Sequence, residues 1–285
     1  MPTAVDPSLN RRKLRLALKS ARDKRGLTQR DAADALEWSL SKLIRIEAGT
    51  VSLSVTDLRA MLLEYGVNDP DIVVELEEAA RGSKGQSWWS DYNDVISQPF
   101  SQYLGYESAA NLIRSYHPSL IPGQLQITDY ITALWEVSEP TPRARRLIDM
   151  RLARQERVFH DGGPKVEMIL DEAALRRQIG GPGVMRRQLA HLKALASGEQ
   201  ATLRVLPFTA GAHDSMDSSF ILLGFTDDED VLYLSGPGGV LTNRDDREKV
   251  ARYQECFEDL QNKALGEEDT MAMFDDLIEN FHRTP

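Results

Sequence analysis

One cysteine, Cys256, is all the thiol chemistry in this chain of 285 residues. That excludes an internal disulfide, and with it a cysteine-clustered metal site. A small apolar residue buried in a helix beside Phe257 and Leu260 is the expectation for it, rather than a redox switch. Long apolar runs are also missing: nothing approaches the roughly 18 residues a helix needs to cross a bilayer. The opening MPTAVDPSLNRRKL has no apolar core of the export-signal kind. A cytoplasmic, nucleoid-associated protein is therefore expected. Histidines are scarce as well. The five, at 117, 160, 191, 213 and 282, fall at no metal-ligand spacing, so no metal and no cofactor are expected. No segment repeats at a fixed period.

What is present is unevenly spread. The net charge is −10, but residues 1–66 hold 12 Lys and Arg against 8 Asp and Glu, while the rest holds 22 against 36. A basic head on an acidic body is the asymmetry expected when only the head meets phosphate. Aromatic residues make up 7% of the chain, yet Trp88, Trp89, Tyr92, Phe100, Tyr103 and Tyr106 fall within nineteen residues. Such a cluster either anchors a core or lines a ligand pocket, and Trp88, Trp89, Tyr92 and Tyr103 are the candidates for a pocket that holds a small molecule or a partner protein.

The most structured signal is TQRDAADALEWSLSKLIRIEAG, residues 28–49. Thr28 is a suitable N-cap, with Asp31 in the favoured acidic first turn. Ala32, Ala33 and Leu36 lie along one face of the helix that follows, and the alanines let a second helix approach closely. Ser39 is the next cap. From it runs a second helix whose Leu43, Ile44 and Ile46 should pack on Leu14, Leu18, Ala32 and Ala33. Gly49 is its expected stop. Ser39, Leu40, Ser41, Lys42 and Arg45 are left facing outward. Two short helices joined by a tight turn, the second with an exposed polar face, form the layout of a helix-turn-helix DNA reader. Arg30 and the first-helix cluster Arg11, Arg12, Lys13 and Arg15 are candidates for phosphate contacts, and a solvated helix face is the plainer reading of that cluster. A helical bundle with no ligand is the plainer reading of the whole head.

These residues resemble the lambda-repressor-like (Cro/CI, XRE) DNA-binding family. The likeness covers about residues 9–66 and is most specific at Gly26-Leu27-Thr28-Gln29 and at Ile44-Arg45-Ile46-Glu47-Ala48-Gly49. It implies a five-helix bundle, with Gln29 bonded to a backbone phosphate and Ser39, Leu40, Ser41, Lys42 and Arg45 facing the major groove. Leu40 stands where the family often has a polar residue, which suits a thymine methyl rather than a hydrogen bond.

Beyond the head, residues 71–80 read as an acidic helix. The Gly- and Ser-rich 81–87 reads as a linker. Further helices are expected at 128–135, 143–159, 184–196, 243–264 and 270–281, with a short one at 172–178. Residues 107–116 read as a short helix or strand. KVEMILD, ATLRVLPF, SSFILLGF and DVLYLSG read as strands. The division is therefore an all-α bundle at 1–80, a linker at 81–87 and an α+β domain, a mixed sheet with helices, at 88–285. The arginines of 143–159 are expected to pair with carboxylates rather than to make a second DNA contact.

Gly180-Gly181-Pro182-Gly183 and Gly236-Pro237-Gly238-Gly239 read as turns: no Lys-Ser/Thr follows, as a phosphate loop requires. His213, Asp214 and Ser215 are chain neighbours and so poorly placed for a catalytic triad. No catalytic residue is assigned, and the chain is read as a non-enzyme. SWWSDY, IPGQLQITDY, RLARQERV, ILDEAALRRQIGGPGVMRRQLAHL and RVLPFTAGAH resemble the domain of unknown function found in WhiJ-like actinomycete regulators. That resemblance implies a transcription regulator, often encoded beside a small partner protein. The reading is thus a homodimer on double-stranded DNA, held by its second domain or by the helix Met271–Phe281. The alternative is an antitoxin-like or signal-sensing protein whose main activity is partner binding by that second domain.

Overall fold

The computed structural model describes residues 7–47, 51–135, 141–226, 229–234, 240–241 and 246–283. The chain forms two compact units, Met1–Ser90 and Asp91–Pro285.

The first unit is all helix: α1 (Pro7–Lys24), α2 (Gln29–Ala35), α3 (Leu40–Glu47), α4 (Val55–Glu64) and α5 (Pro70–Gly82). Its boundaries follow from local chemistry. Thr28 and Asp31 form a reciprocal capping box at the start of α2, and the side chains of Ser54 and Asp69 cap α4 and α5. The ends of α1, α2 and α4 share one device. At α2, Trp38 N–H donates to Ala33 O at 2.8 Å and Glu37 N–H to Asp34 O at 3.1 Å, the paired bonds of a Schellman end. Gly26 and Gly66 supply the left-handed residue at α1 and α4, whereas α2 uses Glu37 at φ 54°.

Leu14, Leu18, Ala32, Ala33, Leu43, Ile46, Leu58 and Met61 make one buried core across these helices. Ile44 does not join it. It is 43% exposed, because at one helical turn from Leu40 it shares that residue's outward side. The expected stop Gly49 lies outside the described residues. Residues 81–87 are not wholly a linker: Arg81 and Gly82 close α5, and the carbonyls of Ser83 and Gly85 accept hydrogen bonds from Arg11 at 2.9 and 2.6 Å.

The second unit holds α6 (Gln98–Glu107), β1 (Leu112–His117), α7 (Thr128–Trp135), α8 (Pro142–Val158), β2 (Lys165–Asp171), α9 (Glu172–Arg176), α10 (Pro182–Ala196) and β3 (Ala201–Leu206). After these come β4 (Phe220–Gly224), β5 (Val231–Leu234), β6 (Val240–Leu241), α11 (Arg247–Lys263) and α12 (Glu267–Arg283). The sheet order is β3-β2-β1-β4-β5-β6. The first three strands pair in parallel and the others antiparallel. The helices after β1 and β2 are the crossovers that parallel pairing requires. The N-terminal bundle followed by an α+β mixed-sheet unit is the expected fold class.

Tyr116, Ile169, Leu206, Phe220, Leu222 and Leu232 cover one sheet face beneath Val250, Phe257 and Leu260 of α11. Ile113, Met168, Leu170, Leu203 and Val205 are buried as well, and α10 and α12 pack together and on β3. The inner face of α12 is thereby used inside the unit: Thr270, Phe274, Leu277 and Phe281 are all buried. Its opposite face, with Ala272, Asp275, Asp276, Glu279 and Asn280, is exposed. The aromatic run hid α6, a helix capped by Ser97.

Candidate nucleic-acid interface

Glu47 sets the position of α3. Its carboxylate is buried and accepts from Arg22 Nε and Nη2 at 2.7 and 3.1 Å and from Gln29 Nε2 at 2.9 Å. Arg22 also donates to Leu27 O at 2.7 Å. One carboxylate at the C-terminal end of α3 thus ties it to α1 and to the start of α2. Burial disfavours the Arg22 charge, but the bonds to Glu47 outweigh that and hold its pKa above the ordinary value. At the other end, Ser39 Oγ accepts from Lys42 N–H at 3.2 Å.

With Leu43, Ile46 and Glu47 inward, the outward surface of α3 consists of Leu40, Ser41, Ile44 and Arg45. Ser39 and Arg30 are exposed nearby. Arg45 Nε donates to Ser41 O at 3.3 Å, so its guanidinium lies along the helix surface.

Several of the residues expected to touch DNA are engaged within the protein. Lys42 Nζ forms an ion pair with Asp57 at 3.0 Å and sits 3.5 Å over the Trp38 ring centroid. It braces α3 against α4 and the turn. Gln29, expected on a phosphate, is bonded to Glu47. Arg11 is bound to the Ser83 and Gly85 carbonyls, and Lys13 pairs with Glu75 at 2.5 Å. Arg12 is half-buried and Arg15 buried. Much of the basic side of α1 therefore faces α5 and the segment after it. Spacing could not reveal this, because the partners lie some sixty to seventy residues away in sequence.

Of the expected aromatic pocket residues, Trp88, Trp89 and Tyr92 lie on one short 3-10 helix, Trp88–Tyr92. Trp88 and Trp89 meet edge to face at 5.8 Å in the first unit, while Tyr92 and Tyr103 belong to the second. Arg146 lies over Tyr92. Tyr103 is fully buried and takes part in a polar network. Its hydroxyl bonds Glu107, and Arg154 reaches Glu107 at 2.6 and 2.5 Å and the Tyr103 oxygen at 2.6 Å. Gln124 donates to Glu107 at 3.0 Å. Tyr103 is a core residue. Arg146 pairs with Asp94 and Arg151 donates to Gln126, so these arginines of α8 bond within their own unit.

A surface cleft of about 450 Å³ is lined by His213, Asp214, Ser215, Arg252, Glu255, Cys256, Asp259 and Leu260. Cys256 is half-buried at its wall; its side chain is not enclosed, because this stretch of α11 borders the cleft. His213 Nε2 lies 3.2 Å from Tyr116 Oη, which is 3.2 Å from Asp171 Oδ2, and Ser215 N–H donates to His213 Nδ1 at 3.3 Å. Both ring nitrogens are engaged, the second by a backbone amide and not by the Ser215 hydroxyl. Among the described residues no group of three His, Cys, Asp or Glu is placed to hold a metal, and no helix is long and apolar enough to cross a membrane. The loop at 236–239 lies outside the described residues.

Residues 13–76 match the family model of a helix-turn-helix domain, and residues 100–276 match that of a domain of unknown function, DUF5753. No curated protein and no solved structure matches the chain.

Proposed function

The chain belongs to the DUF5753 family and carries a helix-turn-helix domain ahead of that region, and on that premise we propose that it is a sequence-specific transcription regulator of the lambda-repressor-like, XRE type. The helix-turn-helix domain marks a DNA-binding regulator. The finer reading is supported by one observation above all. The Arg22–Glu47–Gln29 cluster ties α3 to α1 and α2 with Leu40, Ser41, Ile44 and Arg45 outward, the presentation a major-groove reader needs.

A single such module covers a short site, so the working form is a homodimer on two half-sites about one helical turn apart. The second unit supplies the dimer contact and the response to an effector or partner protein; it is not an enzyme, and the protein works in the cytoplasm on the nucleoid. The 450 Å³ cleft beside His213 favours an effector reading, since it falls within the range of roughly 300–1,000 Å³ of small-molecule sites. WhiJ-like actinomycete regulators are the kind of protein it is proposed to be.

Genome-wide occupancy of the tagged chain, with Arg45→Ala as control, tests this. Discrete peaks that share a two-fold-related motif and vanish in the variant are expected. Uniform background in both, repeated with a binding assay on genomic fragments in vitro, would remove the sequence-specific role.

A further inference from the structure

The outward face of α3 has an unusual division. Along one edge lie Leu40 and Ile44, 38% and 43% exposed. Four residues apart, they are neighbours on the helix surface, and the β-branched Ile44 has essentially one side-chain rotamer in a helix. Together they form a stiff apolar ridge. Along the other edge lie Ser41 and Arg45. The core has no need of the ridge, because Leu43 and Ile46 of the same helix already fill the inward side at 0% and 6% exposure.

Two polar groups beside it are held within the protein. Lys42 is committed to Asp57 and Trp38, and Gln29 to Glu47. A helix in the major groove meets hydrogen-bond donors and acceptors at every base pair but one kind of apolar group, the C5-methyl of thymine. We propose, resting on the DNA-reading role of α3 argued above, that Leu40 and Ile44 are specificity residues that read thymine methyl groups by contact. On this reading the sequence discrimination of α3 has an apolar part, and Arg45 supplies a polar one.

Uracil isolates the interaction, since it differs from thymine only in lacking that methyl. Duplexes enriched by the full chain from a random library are resynthesised with uracil at single thymine positions, and dissociation constants are compared. One or two thymines per half-site should each lose about fourfold in affinity on replacement, the worth of one buried methyl. The double variant Leu40→Ala/Ile44→Ala, whose melting should match the parent because both residues are exposed, should bind thymine and uracil duplexes alike.

The uracil comparison with the unaltered chain decides the matter even if the variant folds poorly. Enriched half-sites without thymine, or uracil duplexes bound as tightly as thymine ones, would overturn the proposal while leaving the regulator reading intact. Failure to enrich any sequence would remove both.

Discussion

Arg45 and Lys42 stand three residues apart on α3 and are expected to behave differently. Arg45 lies on the outward face, so Arg45→Ala should weaken binding to a specific duplex by about 1–3 kcal/mol if it contacts a base, read as a ratio of affinities on specific and random DNA. Lys42→Ala should lower thermal stability by about 1 kcal/mol or less, the range for partly exposed pairs, and leave that ratio unchanged; a changed ratio would return Lys42 to the groove. Glu37 raises a second residue-scale question. It holds φ 54° at the end of α2, a conformation that costs a side-chain-bearing residue about 1–2 kcal/mol. Gly26 and Gly66 do the same task at α1 and α4 without that cost. Glu37→Gly should therefore raise the melting temperature of the first unit, by about 1 kcal/mol of stability; no change or a fall would mean the Glu37 side chain makes an offsetting contribution. At α1 and α4 a glycine occupies the left-handed position. At α2 a glutamate does, so no glycine marks that end in the sequence.

Buried ion pairs fix how the elements meet. Arg154 of α8 and Glu107 of α6 are 6% and 4% exposed and bonded in both directions of the carboxylate. Removing one partner strands a buried charge, which typically costs about 3–5 kcal/mol. Arg154→Ala should thus destabilise the second unit far more than Arg146→Ala, whose partner Asp94 is exposed; equal losses in urea titration would show that the Arg154 network is solvated. Element positions were mostly readable from periodicity: the helices from 128, 143 and 184 and the strand KVEMILD appear where spacing puts them. α6 was not, because an aromatic-rich run gives no clean helical face, and its cap at Ser97 is a single residue. Nor did composition separate the arginines of α8, since whether each is buried or exposed depends on α6, the 123–125 turn and the loop before α6.

At the scale of the molecule, one buried group couples the second unit to pH. His117, at the end of β1, keeps Nε2 enclosed with no hydrogen-bond partner among the described residues. Burial first, and the nearby positive Arg154 second, push its pKa down to about 3 from the ordinary 6.5. Between those pH values the unfolded chain binds the proton and the folded one does not. Stability therefore rises with pH through that window and is lost as pH falls from about 6.5 toward 3. Melting measured across pH 4–7 should show a shallower slope in His117→Leu than in the parent; identical slopes would mean the ring is protonated in the folded protein without penalty. The sequence alone determined the two-part architecture, the helix-turn-helix and most strands, because these depend on the spacing of apolar residues and on caps a few positions apart. Only the tertiary structure decided which cations remain outward. Arg11, Lys13, Lys42, Gln29 and Tyr103 are each also bonded to a partner within their own unit, most of them from another element. A side chain's chemistry is written in its own position, but whether it is free to act depends on which groups folding brings beside it.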